Sequence, residues 1–441
     1  MKRILCTVFV IAFIILTALS VSAVDYGCTV NPVAKAVYLK NLDTGAVVYQ
    51  KEAEQQMYPA STTKIMTYVI VADNIADFDN TMVTVNESVL NGLDPESTVM
   101  GLAGHIGESF SIRDLLYGMM LPSGNDAALV LADYVGKGIE NFVQMMNAKA
   151  AELGCTGTHF VNPHGLYDSN HFTTAKDLAV ISEYAMKCQS FMDITNTVEY
   201  KPSGFEYSFK NTNYMLYSEA ESGNYYYQYT KGIKTGYTDE AGKCLVTSAE
   251  KNGFTYLCVE LGTAYSYSED INYAMLDAKS LYEWAFNDLG KQTVYGPSDI
   301  VKSIPVKYVS GDKELAAVPE KEVVALLPNN YDKNLVAVDI KCPDTVEAPV
   351  HKGDVLGTVS VRYDDMDLGT TNVIASEDIE RNQIKYFFAK TAEFIKTHVI
   401  VIIIGVVLII LLIILILALR ARHKRAARAR AREQARRRFR D

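Results

Sequence analysis

At 441 residues the chain has room for more than one domain, and its formal charge of −10 conceals an uneven distribution. Eleven of the 42 basic residues fall within 420–441 and two more within the first three positions, leaving 29 basic against 50 acidic side chains between them, a formal charge of about −21. So acidic a body excludes nucleic acid as its partner, because a phosphate backbone requires compensating Lys and Arg.

Lys2 and Arg3 precede a charge-free, largely apolar run from Ile4 to about Leu19, and Val21-Ser22-Ala23 supplies a small-residue cleavage pattern. Residues 1–23 read as a signal peptide. An uncleaved membrane helix is the alternative reading, and it exports the body equally well.

The next stretch mixes strands with helices. Ala36 to Leu39 and Ala46 to Tyr49, joined by Asn41-Leu42-Asp43-Thr44-Gly45, read as a hairpin. Thr62 to Val71 is apolar on nearly all sides, which predicts a buried helix. Ile112 to Met120 and Ala127 to Val135 read as helices with Asn125-Asp126 as a cap between them. Gly232 to Lys234, Lys243 to Ser248 and Tyr256 to Gly262 read as strands, and Ala274 to Leu289, with Trp284, as a closing helix. Strands from both ends enclose helices, so 24–290 is predicted as an α+β domain, an antiparallel sheet covered by helices.

Beyond it, Ser303 to Val309, Glu322 to Leu327, Leu335 to Ile340 and Val355 to Tyr363 alternate between turn residues. That texture predicts a small all-β domain over 296–380. Residues 381–398 read as a juxtamembrane helix carrying Tyr386, Phe387, Phe388 and Phe394 toward a membrane interface. Val399 to Leu419 holds no charge and has the roughly 20 residues that a transmembrane helix needs. The basic tail 420–441 then belongs on the cytoplasmic side, against anionic lipid, with the body outside. A nucleic-acid-binding tail competes for any Arg-rich run, but adjacency to a membrane span favours lipid.

Six cysteines lie outside the signal, and none forms a C-x-x-C pair. If Asn252-Gly253 is a two-residue hairpin turn, Phe254 faces Lys251 and Cys258 faces Thr247, which puts Cys244 and Cys258 on opposite sides of the sheet as free thiols. His159, His164 and His171 show no zinc spacing, and no metal or cofactor is expected.

Three short motifs carry the chemistry. Ser61-Thr62-Thr63-Lys64 opens the buried helix, where a three-residue offset sets hydroxyl and amine on one face. Burial, the positive helix end and a second nearby cation would each lower the Lys64 pKa and free the amine to act as a base. Spelling alone decides nothing, since Ser248-Ala249-Glu250-Lys251 and Ser310-Gly311-Asp312-Lys313 also match S-x-x-K. Ser248 is expected to end a strand and Ser310 to enter a turn, so neither starts a buried helix. Ser123-Gly124-Asn125 falls in a loop between helices, whereas Ser222-Gly223-Asn224 lies in a polar turn. Lys234-Thr235-Gly236 is read as ending a short strand, where Gly236 lets a substrate backbone approach a sheet edge.

The order S-x-x-K, S-x-N, K-T-G identifies a penicilloyl-serine transferase. The exported body resembles the low-molecular-weight penicillin-binding proteins of the D-alanyl-D-alanine carboxypeptidase type. The extended strings Tyr58 to Thr67, Leu116 to Ala128, Asn162 to Leu166 and Gly232 to Gly242 carry that resemblance. It implies a β-lactamase/transpeptidase-like fold. It also implies that Ser61 attacks the carbonyl between two D-alanines of a peptidoglycan stem peptide while Lys64 takes its proton, and that Ser123 relays a proton to the leaving amine. Asn125 would hold the substrate amide, Lys234 and Thr235 the terminal carboxylate, and the N–H groups of Ser61 and Tyr237, beyond Gly236, the oxyanion. β-Lactams would acylate the same serine. His164 is read as packing that shapes its loop. A serine β-lactamase, a cross-linking transpeptidase and a non-catalytic envelope-binding scaffold are the competing readings.

Overall fold

The computed structural model describes residues 26–93, 97–264, 271–364 and 366–438; the signal segment 1–23 lies outside them. Strands β1 (Ala36–Asn41) and β2 (Val47–Lys51) form the expected hairpin. Helices α1 (Lys64–Asn74), α2 (Ile112–Met120), α3 (Asn125–Gly136), α4 (Ile139–Glu152) and α5 (Ala175–Ala185) follow. Strands β3 (Thr230–Thr238), β4 (Gly242–Lys251) and β5 (Phe254–Thr263) then lead into α6 (Tyr273–Asp288). The five strands pair antiparallel in the order β2-β1-β5-β4-β3, so the first and last strands of the sheet in chain order are neighbours and β3 is an edge.

Strand periodicity divides the apolar side chains between two cores. Val246, Leu257 and Val259 join the core formed with the five helices, whereas Leu245 and Cys258 point the other way, into the core that α6 covers with Ala278, Leu281 and Tyr282. From Lys64 to Val71, α1 is buried at every position, as an all-round apolar helix must be. The β4–β5 turn carries positive φ at both Asn252 and Gly253, sets Lys251 opposite Phe254 and Thr247 opposite Cys258, and so fixes the expected register. Cys244 and Cys258 are free thiols in opposite cores.

Several local readings are corrected. A 3₁₀ turn, Ala60–Thr63, precedes α1, so Ser61 sits in that turn and Lys64 starts the α-helix. The cap of α3 is Gly124 rather than the Asn125-Asp126 pair, because Asp126 turns its carboxylate to other backbone N–H groups. Lys234-Thr235-Gly236 lies inside β3, which runs on to Thr238. Ser248 lies within β4, its hydroxyl donating to the Lys231 carbonyl at 2.7 Å.

By contacts the chain forms two units, and 324–337 and 362–368 group with the first. In the second part of the chain a six-stranded sheet runs in the order Val336–Lys341, Val355–Tyr363, Met366–Ala375, Glu314–Pro319, Lys302–Lys307 and Val346–Glu347. Leu315, Val350, Ala375 and Ile379 are buried together there. Three of these strands escape sequence reading, since Met366–Ala375 contains Gly369 and Asn372, Glu314–Pro319 ends in proline and Val346–Glu347 is only two residues long. Cross-strand pairing, not propensity, makes them strands.

The expected juxtamembrane and transmembrane helices are one continuous helix, α7 (Gln383–Arg438). Its Val399–Leu419 stretch exposes apolar side chains on all sides and is long and apolar enough to cross a membrane.

Candidate active site

The site is built where the Ala60–Thr63 turn, the loop before α3 and strand β3 converge. Lys64 is wholly buried at the start of α1. Its Nζ lies 2.8 Å from Ser61 Oγ, 2.6 Å from Asn125 Oδ1 and 2.8 Å from the His164 carbonyl oxygen. The last two groups only accept hydrogen bonds, so they take both hydrogens of a neutral amine. In that neutral form the remaining lone pair would face the Ser61 hydroxyl, 2.8 Å away. Burial, and next the Lys234 ammonium, hold Lys64 well below its ordinary value of 10.5, against an opposing pull from Asp126.

Two residues hold left-handed backbone here, Ala60 at φ 47° and Ser123 at φ 67°. Each costs about 1–3 kcal/mol, a strain that persists only where surrounding structure imposes it. Gly124 is required next to Ser123, because a Cβ there would lie 2.7 Å from the Gly118 carbonyl oxygen. Asp126 fixes the loop by accepting from the N–H groups of Met100, Gly101 and Leu102 at 2.8–2.9 Å.

Strand β3 forms the opposite wall. A Cβ on Gly236 would stand 2.9 Å from Ser61 N, so glycine allows the strand to close on the Ala60–Thr63 turn. Lys234 is 1% exposed, and burial lowers its pKa to about 7. Its Nζ and Ser123 Oγ make no hydrogen bond among the described residues. Buried orphans of this kind cost about 1–3 kcal/mol each. Thr235 Oγ1 is 2.5 Å from Thr212 Oγ1. The structure therefore brings Ser61, Lys64, Ser123, Asn125, Lys234, Thr235, Gly236 and Tyr237 to one place.

Sequence comparison decides what this arrangement belongs to. The model of the family described as D-alanyl-D-alanine carboxypeptidase matches residues 28–264, and that of the penicillin-binding protein 5 C-terminal domain matches 290–381. The chain belongs to the D-alanyl-D-alanine carboxypeptidase family. Its activity is accordingly that of a serine-type D-alanyl-D-alanine carboxypeptidase. D-alanyl-D-alanine carboxypeptidase DacF of Bacillus subtilis is 29% identical over 89% of this chain and 98% of its own. D-alanyl-D-alanine carboxypeptidase DacA of Haemophilus influenzae is 30% identical over 86% of this chain and 94% of its own. Penicillin-binding protein 5 of Haemophilus influenzae aligns in structure with a TM-score of 0.58 at 25% identity, over 80% of this chain and 98% of that one.

Sequence reasoning on this carboxypeptidase missed three supports of the site. The string Asn162 to Leu166 was legible, but not that the His164 carbonyl anchors Lys64. Asn162 Oδ1 accepts from Gly165 N at 2.6 Å, and Gly165, at φ 89°, lies where any Cβ would collide with the Ala60 carbonyl. The loop is thus locked under the Ala60–Thr63 turn. The His164 ring, pushed down to about 3 by burial and then by Lys64 and His171, accepts from Leu166 N at 3.2 Å, which fits a role in shaping the loop. Asp126 reads as a cap in sequence, whereas its carboxylate holds the backbone of Met100 to Leu102. Thr212 carried no sequence signal at all.

Proposed function

We propose that Ser61 Oγ attacks the carbonyl between the last two D-alanines of a peptidoglycan stem pentapeptide while Lys64 Nζ takes its proton. The Ser61 Oγ–carbon bond forms, the peptide C–N bond breaks, and the proton passes from Lys64 through Ser123 to the departing D-alanine amine. Water then hydrolyses the acyl-enzyme. Asn125 orients the scissile peptide, Lys234 and Thr235 hold the terminal carboxylate, and the N–H groups of Ser61 and Tyr237 receive the oxyanion. β-Lactams acylate the same Ser61. The observation that carries this reading is the Lys64 environment, in which two acceptors and one hydroxyl surround a buried amine.

A pentapeptide ending in D-alanyl-D-alanine is expected to yield free D-alanine and tetrapeptide, followed by chromatography, with cross-linked dimer a minor product. Dimer as the main product would make the chain a transpeptidase. Rapid turnover of penicillin without D-alanine release would make it a β-lactamase.

For the rest of the chain, residues 24–290 act as the carboxypeptidase domain, 296–380 as the β-rich domain, and 399–419 as a single span with the catalytic body outside. The Arg-rich residues of 420–441 lie on the cytoplasmic face against anionic lipid. The support is α7, whose apolar stretch covers about 30 Å at 1.5 Å per residue. High salt and carbonate should leave the full-length protein in the membrane pellet, while truncation after Glu377 should release a soluble, penicillin-reactive enzyme. Extraction by salt alone would refute the span. Protease treatment of intact protoplasts that removed the tail and spared the body would reverse the orientation.

A further inference from the structure

Away from the acyl-transfer site, the last turn of α6 opens onto a cavity of about 560 Å³ that takes no part in the reaction proposed above. Trp284 and Tyr26, two of its walls, belong to the core that α6 covers, so it lies across the five-stranded sheet from α1. Every residue that lines it falls within the first contact unit. The walls are held by the fold itself. Asn329 donates its backbone N–H to the Asp288 carbonyl and its side-chain amide to the Asn287 carbonyl, both at 2.8 Å, so the segment after Pro328 satisfies the free end of the helix. The rings of Tyr331 and Tyr363 meet edge to face with centres 5.9 Å apart, and the Tyr26 hydroxyl reaches Met366 Sδ at 3.4 Å.

The lining has an aromatic floor and a polar rim. Tyr26, Trp284 and Tyr363 are buried and Tyr331 half-buried, whereas Asn287, Asp288, Asn329, Asn330 and Asp332 are exposed. Asp332 Oδ1 already accepts from the backbone and the side-chain amide of Asn334 at 2.9 Å, but the side chains of Asp288 and Asn330 make no hydrogen bond among the described residues. Those two are open to a ligand. Among the described residues no Lys, Arg or His lines the cavity, and the last carbonyls of a helix carry partial negative charge, so the site repels anions. Three of the five rim side chains are amides, which call for hydrogen bonds rather than for a charge. The ligand that suits such a place donates hydrogen bonds from its edge and lays apolar faces on aromatic rings. A pyranose does both, with hydroxyls around the ring and C–H faces above and below, and the volume falls within the roughly 300–1,000 Å³ of small-molecule sites.

We propose that this cavity is a saccharide site, separate from the acyl-transfer site, which holds uncharged sugar rings of the glycan strand of peptidoglycan. Asp288 and Asn330 take the ring hydroxyls, and Tyr331 with Trp284 supplies the apolar contact. The saccharide class comes from the lining alone. The choice of the glycan strand as its source rests on the peptidoglycan reading given above, since the stem peptide is carried on that strand.

Trp284 is the only tryptophan of the chain, so its fluorescence reports on this cavity alone. Full-length protein in a detergent without sugar headgroups is titrated with tri-N-acetylchitotriose, a neutral saccharide. A saturable change in Trp284 emission is expected, with the Kd raised about three- to tenfold by Asp288→Ala and by Asn330→Ala, as for the loss of one hydrogen bond each. One penicillin bound covalently per chain verifies that both variants are folded. On isolated peptidoglycan the variants should release D-alanine more slowly than wild type by a similar factor, and on free pentapeptide at the wild-type rate. An emission that does not saturate, or a Kd unmoved in both variants, overturns the saccharide site. A response to tetramethylammonium with none to the saccharide overturns it in favour of an organic cation. Saccharide binding with wild-type rates on isolated peptidoglycan in both variants overturns the glycan strand as the occupant. Failure of the wild type to release D-alanine from either substrate, with saccharide binding intact, overturns the carboxypeptidase reading and upholds the saccharide class.

Discussion

Ser61→Ala is expected to abolish covalent labelling by a fluorescent penicillin and to lower D-alanine release by roughly 10⁴-fold or more, because no acyl-enzyme can form. The fold should survive, since the hydroxyl is half-buried at the edge of the site and the turn is held by other groups. Thr62 Oγ1 donates to the Pro59 carbonyl at 2.6 Å, and Thr63 Oγ1 is 2.8 Å from His171 Nε2. Gel fluorescence with a thermal melt checks both parts. Ser248→Ala and Ser310→Ala serve as controls. Ser248 donates to a backbone carbonyl inside β4, and Ser310 Oγ accepts from Asn382, so both should label fully. Labelling that persisted in Ser61→Ala and disappeared in either control would assign the nucleophile to the wrong motif.

Lys64→Arg is the second large effect, expected to slow acylation by about 10³-fold, within the usual range for loss of a general base. A guanidinium stays charged and offers no lone pair to Ser61. The same argument sets the sign of the pH dependence. Burial and Lys234 lower the Lys64 pKa, so the neutral, basic form grows as pH rises, and acylation should increase with pH through a midpoint well below 10.5. Lys234, lowered to about 7 by burial, must be charged to hold a carboxylate, so kcat/KM for the peptide should decline on the alkaline side. The two amines interact and the midpoints belong to the pair. Stopped-flow acylation from pH 5 to 10 measures both limbs. A Lys64→Arg enzyme within a few-fold of wild type, or an acylation rate that falls steadily as pH rises, would defeat the base assignment.

Folding responds to the same lysines with a definite sign. Between their lowered values and the ordinary value of 10.5 the unfolded chain binds more protons than the folded one, so both groups make stability rise with pH across that window. These two buried amines thereby make the fold less stable at neutral pH than an uncharged core would be.

Much of this protein is legible in its sequence. Period-two and helical patterns gave β1, β2 and α2, and the residues of α2 match the expected Ile112 to Met120. Asn252-Gly253 was enough to fix the register of β4 against β5 and to separate Cys244 from Cys258, because positive φ at both turn positions admits only one two-residue hairpin geometry. The motif residues were legible because each is a rare combination at a helix start, an interhelical loop or a strand. Boundaries were less legible. The end of β3 was placed too early, since Gly236, Tyr237 and Thr238 resemble a turn locally and become strand only by pairing with Gly242 to Cys244.

What the sequence by itself determined, then, is whatever depends on local pattern and residue chemistry: an acidic body, a charge-free membrane-length helix, and three short motifs of a serine, two lysines and an asparagine. What the tertiary structure alone decided is which groups control those residues from a distance. The His164 carbonyl reaches Lys64 across 100 positions of sequence, Thr212 meets Thr235 across 23, and Asp126 gathers three N–H groups from Met100 to Leu102. No local pattern encodes such contacts, because a carbonyl or a hydroxyl is common to many residues and acquires its role only when packing removes water and leaves one partner within reach.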